Sequence, residues 1–136
     1  MWGTLMTSAE SDREIVAEFF ATRFTDKARA RELVHPDAVW IIPGTLPLSG
    51  VFDGRSAIFD AYLGQHTDDF ATVTSKVLRT IAEPGVVVVE YHATGRTKKG
   101  RDYDTIYYYV VDVSDGLITK VRQALDTQYA QRTIYD

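Results

Sequence analysis

The chain has 136 residues, 45% of them hydrophobic, 12% aromatic and 25% charged, a globular composition that excludes disorder, collagen-like repeats and coiled coil. It contains no cysteine, which removes disulfides, thiolate metal sites and cysteine nucleophiles together. Fifteen basic against nineteen acidic residues leave a net charge of −4, the wrong sign for an unaided phosphate binder, so nucleic acid is not an expected partner.

In chain order, MWGTLMTSAES has neither a basic n-region nor a continuous apolar run, so residues 1–10 read as a leader without a signal peptide. Ser11-Asp12-Arg13-Glu14 has the spacing of a capping box, and Ile15, Val16, Phe19, Phe20 and Phe24 behind it follow a helical period. Thr25-Asp26 restarts a second helix through Ala28, Leu33 and Val34, stopped by His35-Pro36. A short buried strand, Ala38 to Ile42, precedes a loop from Pro43 to Asp53, and Asp53 caps a third helix with Ile58, Ala61 and Tyr62 inward. Four strands are expected after it: Phe70–Ile81, Val86–Arg96, Tyr103–Val113 and Leu117–Tyr129, separated by turn residues. Helices first and a meander last make an α+β fold, one domain over 1–136. The longest purely apolar run, Val86 to Val89, is far too short to span a membrane, and a cytoplasmic protein is expected.

Register follows from turn length. If Thr97–Gly100 is the whole hairpin loop, Arg96 faces Arg101, which sets Glu90 opposite Tyr107 and His92 opposite Thr105. If Ser114-Asp115-Gly116 is a three-residue loop, Tyr109 faces Val121 and Tyr107 faces Gln123; a two-residue turn would swap the last strand. One face then gathers Glu90, His92, Tyr107, Tyr109 and Gln123, and the other Val89, Tyr91, Tyr108, Val110, Lys120 and Arg122. Glu90 and His92, two apart on one strand, share a face about 7 Å apart and can exchange a proton or hold each other ionised. The hydroxyls of Tyr107 and Tyr109 can hold a carbonyl oxygen, and Trp40 and Gln123 offer further polar contacts.

The pieces His35-Pro36-Asp37-Ala38-Val39-Trp40, Pro43-Gly44 with Pro47-Leu48-Ser49-Gly50, Asp115-Gly116-Leu117-Ile118 and Asp126-Thr127-Gln128-Tyr129-Ala130 together carry a resemblance. Over residues 11 to 131 the chain resembles the SnoaL-like branch of the nuclear transport factor two-like superfamily, whose fold hosts isomerases, cyclases, dehydratases, epoxide hydrolases and non-catalytic binders. The resemblance implies a cone-shaped curved antiparallel sheet wrapped around three N-terminal helices and enclosing a pocket, and homodimers formed through the outer sheet face. It also marks departures. Ile42 stands where ketosteroid isomerases carry a general-base aspartate, and Phe19 or Phe20 where they carry an oxyanion-hole tyrosine. Glu90, His92 and Gln123 stand at the positions of the limonene epoxide hydrolase triad.

The reading this supports is a small cofactor-independent enzyme moving a proton on an apolar, carbonyl-bearing molecule, by cyclisation, isomerisation or dehydration. His92 serves as acid or base, Glu90 orients it, Tyr107 or Tyr109 holds the oxyanion, and Trp40, Ile42, Phe19, Phe20 and Gln123 bind substrate. The alternatives are a non-catalytic binding module and an epoxide-hydrating enzyme using Glu90 and His92. His35 and His66 near helix ends are given structural roles, and no metal site is expected.

Overall fold

A computed structural model describes residues 2–136, with the side chains of 8–65 and 68–136. Helix α1 (Trp2–Thr22) takes in the expected leader, and Ser11 lies inside it rather than capping it. No proline interrupts the stretch before Ser11, and Asp12 is used differently: its carboxylate accepts a 2.8 Å hydrogen bond from the Gly85 N–H. On the buried stripe Val16 and Phe19 are fully enclosed, each contributing roughly 1.5–3 kcal/mol of burial.

Helix α2 (Lys27–Glu32) has the expected cap, Asp26 accepting from the Arg29 N–H. Strand β1 (Val34–Ile42) begins four residues early and runs through Pro36, tolerated because its pairing with the last strand is interrupted between Val34 and Val39. The stretch read as one loop holds a short strand, β2 (Gly50–Asp53), so Asp53 pairs with Val39 and Gly54 takes the cap position of α3 (Arg55–Ala57). That helix continues as a wider-wound segment, Ile58–Tyr62. After a turn at Leu63–Gln65 and α4 (His66–Asp69) come β3 (Phe70–Glu83), β4 (Val86–Thr97), β5 (Asp102–Ser114) and β6 (Leu117–Ala124). The last strand stops well before Tyr129, because Asp126 accepts from the Tyr129 N–H and starts α5 (Thr127–Ala130), extended by Gln131–Tyr135. The side chain of His66 lies outside the described residues.

The six strands form one open sheet in the order β2-β1-β6-β5-β4-β3, antiparallel except for the β1–β6 pair. This is the α+β sheet with N-terminal helices that the sequence implied. Bulges in β3 near Leu78 and in β6 at Thr119 bend it so that one face is concave.

Two turns decide which residues that face carries. Thr97 N–H donates to the Arg101 carbonyl and Gly100 N–H to that of Thr97, so the loop proper is Lys98-Lys99-Gly100, with Gly100 at φ 78°. The loop is one residue shorter than expected, and the pairing moves by one: Glu90 faces Tyr108 and His92 faces Ile106. A one-residue slip turns a strand over. Val87, Val89, Tyr91 and Ala93 therefore point inward, and Val88, Glu90 and His92 outward. At the other turn Ser114 pairs with Leu117 across Asp115-Gly116, a two-residue turn. The bulge at Thr119 then restores the face, so Tyr109 sits opposite Gln123 and Val111 opposite Val121.

Candidate functional site

The concave face, α1, the α3 segment and α5 enclose a cavity of about 80 Å³, room for several water molecules or a compact ligand. Its apolar walls include Ile42, Leu46, Leu48, Leu63 and Leu125, and its polar wall is made chiefly of tyrosines: Tyr62, Tyr91, Tyr103, Tyr107 and Tyr109. Alternation along β5 brings Tyr103, Tyr107 and Tyr109 to one side of the sheet, with the Tyr107 and Tyr109 rings parallel within 5° and their centroids 5.9 Å apart.

Gln123 is the hub of the deepest polar contacts. Its side-chain oxygen accepts from the Trp40 indole N–H at 2.9 Å and from the Tyr62 hydroxyl at 2.8 Å. Two donors converging on one atom fix that atom as oxygen, which leaves the two amide hydrogens for other partners. The Tyr103 and Tyr107 hydroxyls are hydrogen-bonded to each other. Burial pushes both up, Tyr107 well above the usual phenol range, so both stay protonated at neutral pH, one donating to the other and leaving one hydrogen free. Burial also raises Tyr62 and Tyr109, against the pull of Arg23.

Arg23 was not singled out in the sequence, yet it is the least expected side chain at the site. It follows the last residue of α1, only 2% exposed, with its Nη2 directed to the Tyr109 hydroxyl at 3.4 Å. Its guanidinium carbon lies 4.7 Å from the ring centroids of both Phe20 and Phe24 and 5.0 Å from that of Tyr91. Nε and Nη1 have no hydrogen-bond partner. An unsatisfied buried donor costs about 1–3 kcal/mol, and more when charged, so this arrangement is not one that stability alone selects. Burial works against its charge, but a guanidinium is basic enough to stay ionised at neutral pH even among the neutral hydroxyls of Tyr109, Tyr91 and Tyr62. Spacing carried the signal: Val16, Phe19, Phe20 and Arg23 occupy i, i+3, i+4 and i+7, one face of a helix.

A carboxylate also reaches the cavity. Asp69, at the end of α4, lines it; burial raises its carboxyl, a Gln65 hydrogen bond opposes that, and the Asp68 charge adds to it. Tyr135, pushed up to about 12 by burial and by the charge of Asp69, lines the same side.

The expected residues divide cleanly. Tyr107, Tyr109, Gln123 and Ile42 line the cavity. Trp40, Phe19 and Phe20 form the layer behind it: Phe20 packs 4.8 Å from Tyr109, Phe19 5.9 Å from Trp40, and the indole N–H is already spent on Gln123. Glu90 and His92 are on the outer face. Glu90 accepts from the Tyr108 hydroxyl at 2.8 Å and lies 3.7 Å from Arg79, while His92 Nε2 is 2.7 Å from Asp104. The one-residue difference in the β4–β5 turn put them there, so acid–base or water-activating roles for this pair in the pocket fall away. Among the described residues no group of three or more histidines and carboxylates is placed to hold a metal ion.

Comparison with known proteins agrees with this architecture. The SnoaL-like domain family matches residues 12–121. An NTF2-like protein from Burkholderia xenovorans LB400 is 28% identical with a TM-score of 0.81, over 94% of this chain and 98% of that one. Bal32a, from a soil-derived mobile gene cassette, is 23% identical with a TM-score of 0.83, over 95% and 99% of the two chains. A candidate SnoaL-like polyketide cyclase from Jannaschia sp. CCS1 is 17% identical with a TM-score of 0.82, over 93% of each. No curated protein matches the sequence. With the family matched across most of its length and the fold reproduced in these structures, the chain belongs to the SnoaL-like family of the NTF2-like superfamily.

Proposed function

We propose that the protein moves a proton on an apolar, carbonyl-bearing small molecule held in the cavity, as a cyclase or isomerase does. The observation that carries this reading is the set of protonated hydroxyls around one apolar cavity, with the hydrogens of Tyr109 and of one of the Tyr103–Tyr107 pair left to donate, and the Asp69 carboxyl on the same wall. Hydroxyl donors pre-aimed at one space are what a developing oxyanion needs, and a carboxyl raised by burial is a stronger base than a solvated one. Asp69 as carboxylate takes a proton from the carbon beside the carbonyl. The C–H electron pair becomes the enolate double bond, and the charge passes to the oxygen held by the tyrosine hydroxyls and the Gln123 amide hydrogens. Attack of the enolate carbon on a second carbonyl of the same molecule closes a ring; return of the proton to a conjugated carbon isomerises it. Membership of the SnoaL-like family and the fold shared with the candidate cyclase make this reaction class the natural one to test.

The test is α-proton exchange of aryl ketones such as 1-indanone in D₂O, followed by NMR. The wild type should exchange faster than buffer, and Asp69→Asn should fall back by about 10²–10⁴-fold. Ketones that bind without exchanging would favour a binding module instead.

A further inference from the structure

We propose that the ligand of this cavity is an anion, a carboxylate or an enolate-type oxyanion on an aromatic or otherwise apolar skeleton, drawn in by the charge of Arg23 and received by the Tyr109 hydroxyl. The inference rests on the cavity being the small-molecule site and adds the ligand's charge. Three observations lead to it. First, Arg23 is buried without a counter-ion: the ion pairs found among the described residues all lie elsewhere, joining Arg13, Arg29, Arg79, His92, Arg96 and Arg122 to their acids. Second, donors outnumber acceptors around the deep end. Gln123 offers one oxygen, already taken by Trp40 and Tyr62, whereas its amide hydrogens and the Nε and Nη1 of Arg23 are donors only. Third, the rest of the wall is apolar or aromatic, which selects a skeleton rather than a bare inorganic ion.

Aromatic rings cover the faces of the guanidinium, and this accounts for a cation in an apolar layer. They do nothing for its edges. Nε and Nη1, both beside Nη2, are fully enclosed, so an anion meets the Tyr109 hydroxyl and Nη2 first. A small shift of the surrounding rings lets two oxygens bridge the edge whose Nη2 hydrogen Tyr109 does not take, a geometry for which arginine is suited and lysine is not. Tyr109 relays the charge as well. Its oxygen accepts from Arg23 Nη2, which leaves its hydrogen to donate and strengthens it as a donor.

Calorimetric titration with benzoate and with its neutral isostere benzamide tests this at neutral pH. The wild type should bind benzoate about tenfold or more tightly than benzamide. Arg23→Met, which fills similar volume without charge, should erase that preference, benzoate losing far more affinity than benzamide. Tyr109→Phe should weaken benzoate several-fold more than benzamide, and it decides the matter if Arg23→Met does not fold. Equal affinity for the two probes, no benzoate binding at millimolar concentration, or a preference that survives Arg23→Met or Tyr109→Phe would overturn the proposal. The two readings separate: benzoate preference without ketone exchange removes the catalytic one alone, and ketone exchange without benzoate preference removes this one alone.

Discussion

Asp69 is the residue on which chemistry and stability pull in opposite directions. Burial raises its carboxyl above the value it has in the unfolded chain, so ionising it costs the folded state. That cost is absent below the ordinary carboxylate range near ~4, grows as pH rises toward the raised folded value, and is complete above it. Asp69→Asn should therefore melt no lower than wild type at pH 7, with the difference shrinking at pH 4, while turnover collapses. A variant that is inactive because it unfolds early at pH 7 would contradict the assignment. Turnover in the wild type should fall on acidification as the carboxylate takes up its proton. Tyr107 carries the complementary prediction. Removing its hydroxyl breaks the bond to Tyr103, at a cost of about 1 kcal/mol, and should slow turnover by about 10²-fold. Glu90→Gln and His92→Ala, on the outer face, should leave turnover within about twofold, since neither side chain reaches the cavity. Much of the site was readable in the sequence at this scale: Tyr107, Tyr109 and Gln123 share a face because residues on one strand alternate and those strands pair. Arg23 was readable too, as a charge on an apolar helical stripe, but an arginine near a helix end reads equally well as solvated. Asp69 gave no signal, because the turn that carries it has no periodicity.

At the scale of elements, parity is decided by turns a few residues long. The β4–β5 pairing was expected and is present, but the strand is turned over because its loop is Lys98-Lys99-Gly100 and not Thr97–Gly100. Sequence cannot easily separate the two, since Thr97 fits a loop as well as a strand end. Tertiary contact settles it: Thr97 is buried, and the Lys98 N–H donates to the Asp69 carbonyl, holding the hairpin end against α4. The β5–β6 turn is the opposite case. The tighter turn at Asp115-Gly116 would have put Gln123 outside, and the bulge at Thr119 brings it back. Two local departures cancel. The β3–β4 contact is equally exacting. A Cβ on Gly95 would lie 2.1 Å from the Thr72 carbonyl oxygen and 2.8 Å from the Val73 Cα, both backbone atoms that cannot rotate away. Gly95→Ala should destabilise the fold by about 1–3 kcal/mol, measured by urea unfolding, and loosen β3 first in hydrogen exchange. An unchanged midpoint would mean that the two strands are further apart than described.

For the whole molecule, the outer face of the sheet is the feature left open. Val89 and Tyr91 are interior, so the face expected to mediate assembly is more polar than the sequence implied. What remains is a row across the sheet, Val51, Ile41, Arg122, Val110, Val88 and Ile81, each paired with the next, with Val51 64% and Ile81 57% exposed. Arg122 is held by Asp112, and Tyr108, 45% exposed, lies beside the row. We propose that two copies bury this row against each other as a homodimer. Light scattering should give a dimer mass at micromolar concentration, Ile81→Glu or Tyr108→Glu should shift it toward monomer, and Lys98→Glu at the hairpin tip should not. A wild-type monomer would refute this. The overall architecture was legible because its helices, meander and chain order are set by strong periodicity and turn residues, whereas the position of function hung on a single residue of register.

The central claim is that function resides on the concave side, around Arg23 and the tyrosines, and not at the Glu90–His92 pair. Amide chemical-shift mapping during titration with acetophenone tests it most directly. The account predicts shifts clustered at Arg23, Tyr62, Tyr91, Tyr107 and Gln123, with Glu90, His92 and Asp104 unmoved. Shifts centred on Glu90, His92 and Asp104, with the cavity silent, would contradict it.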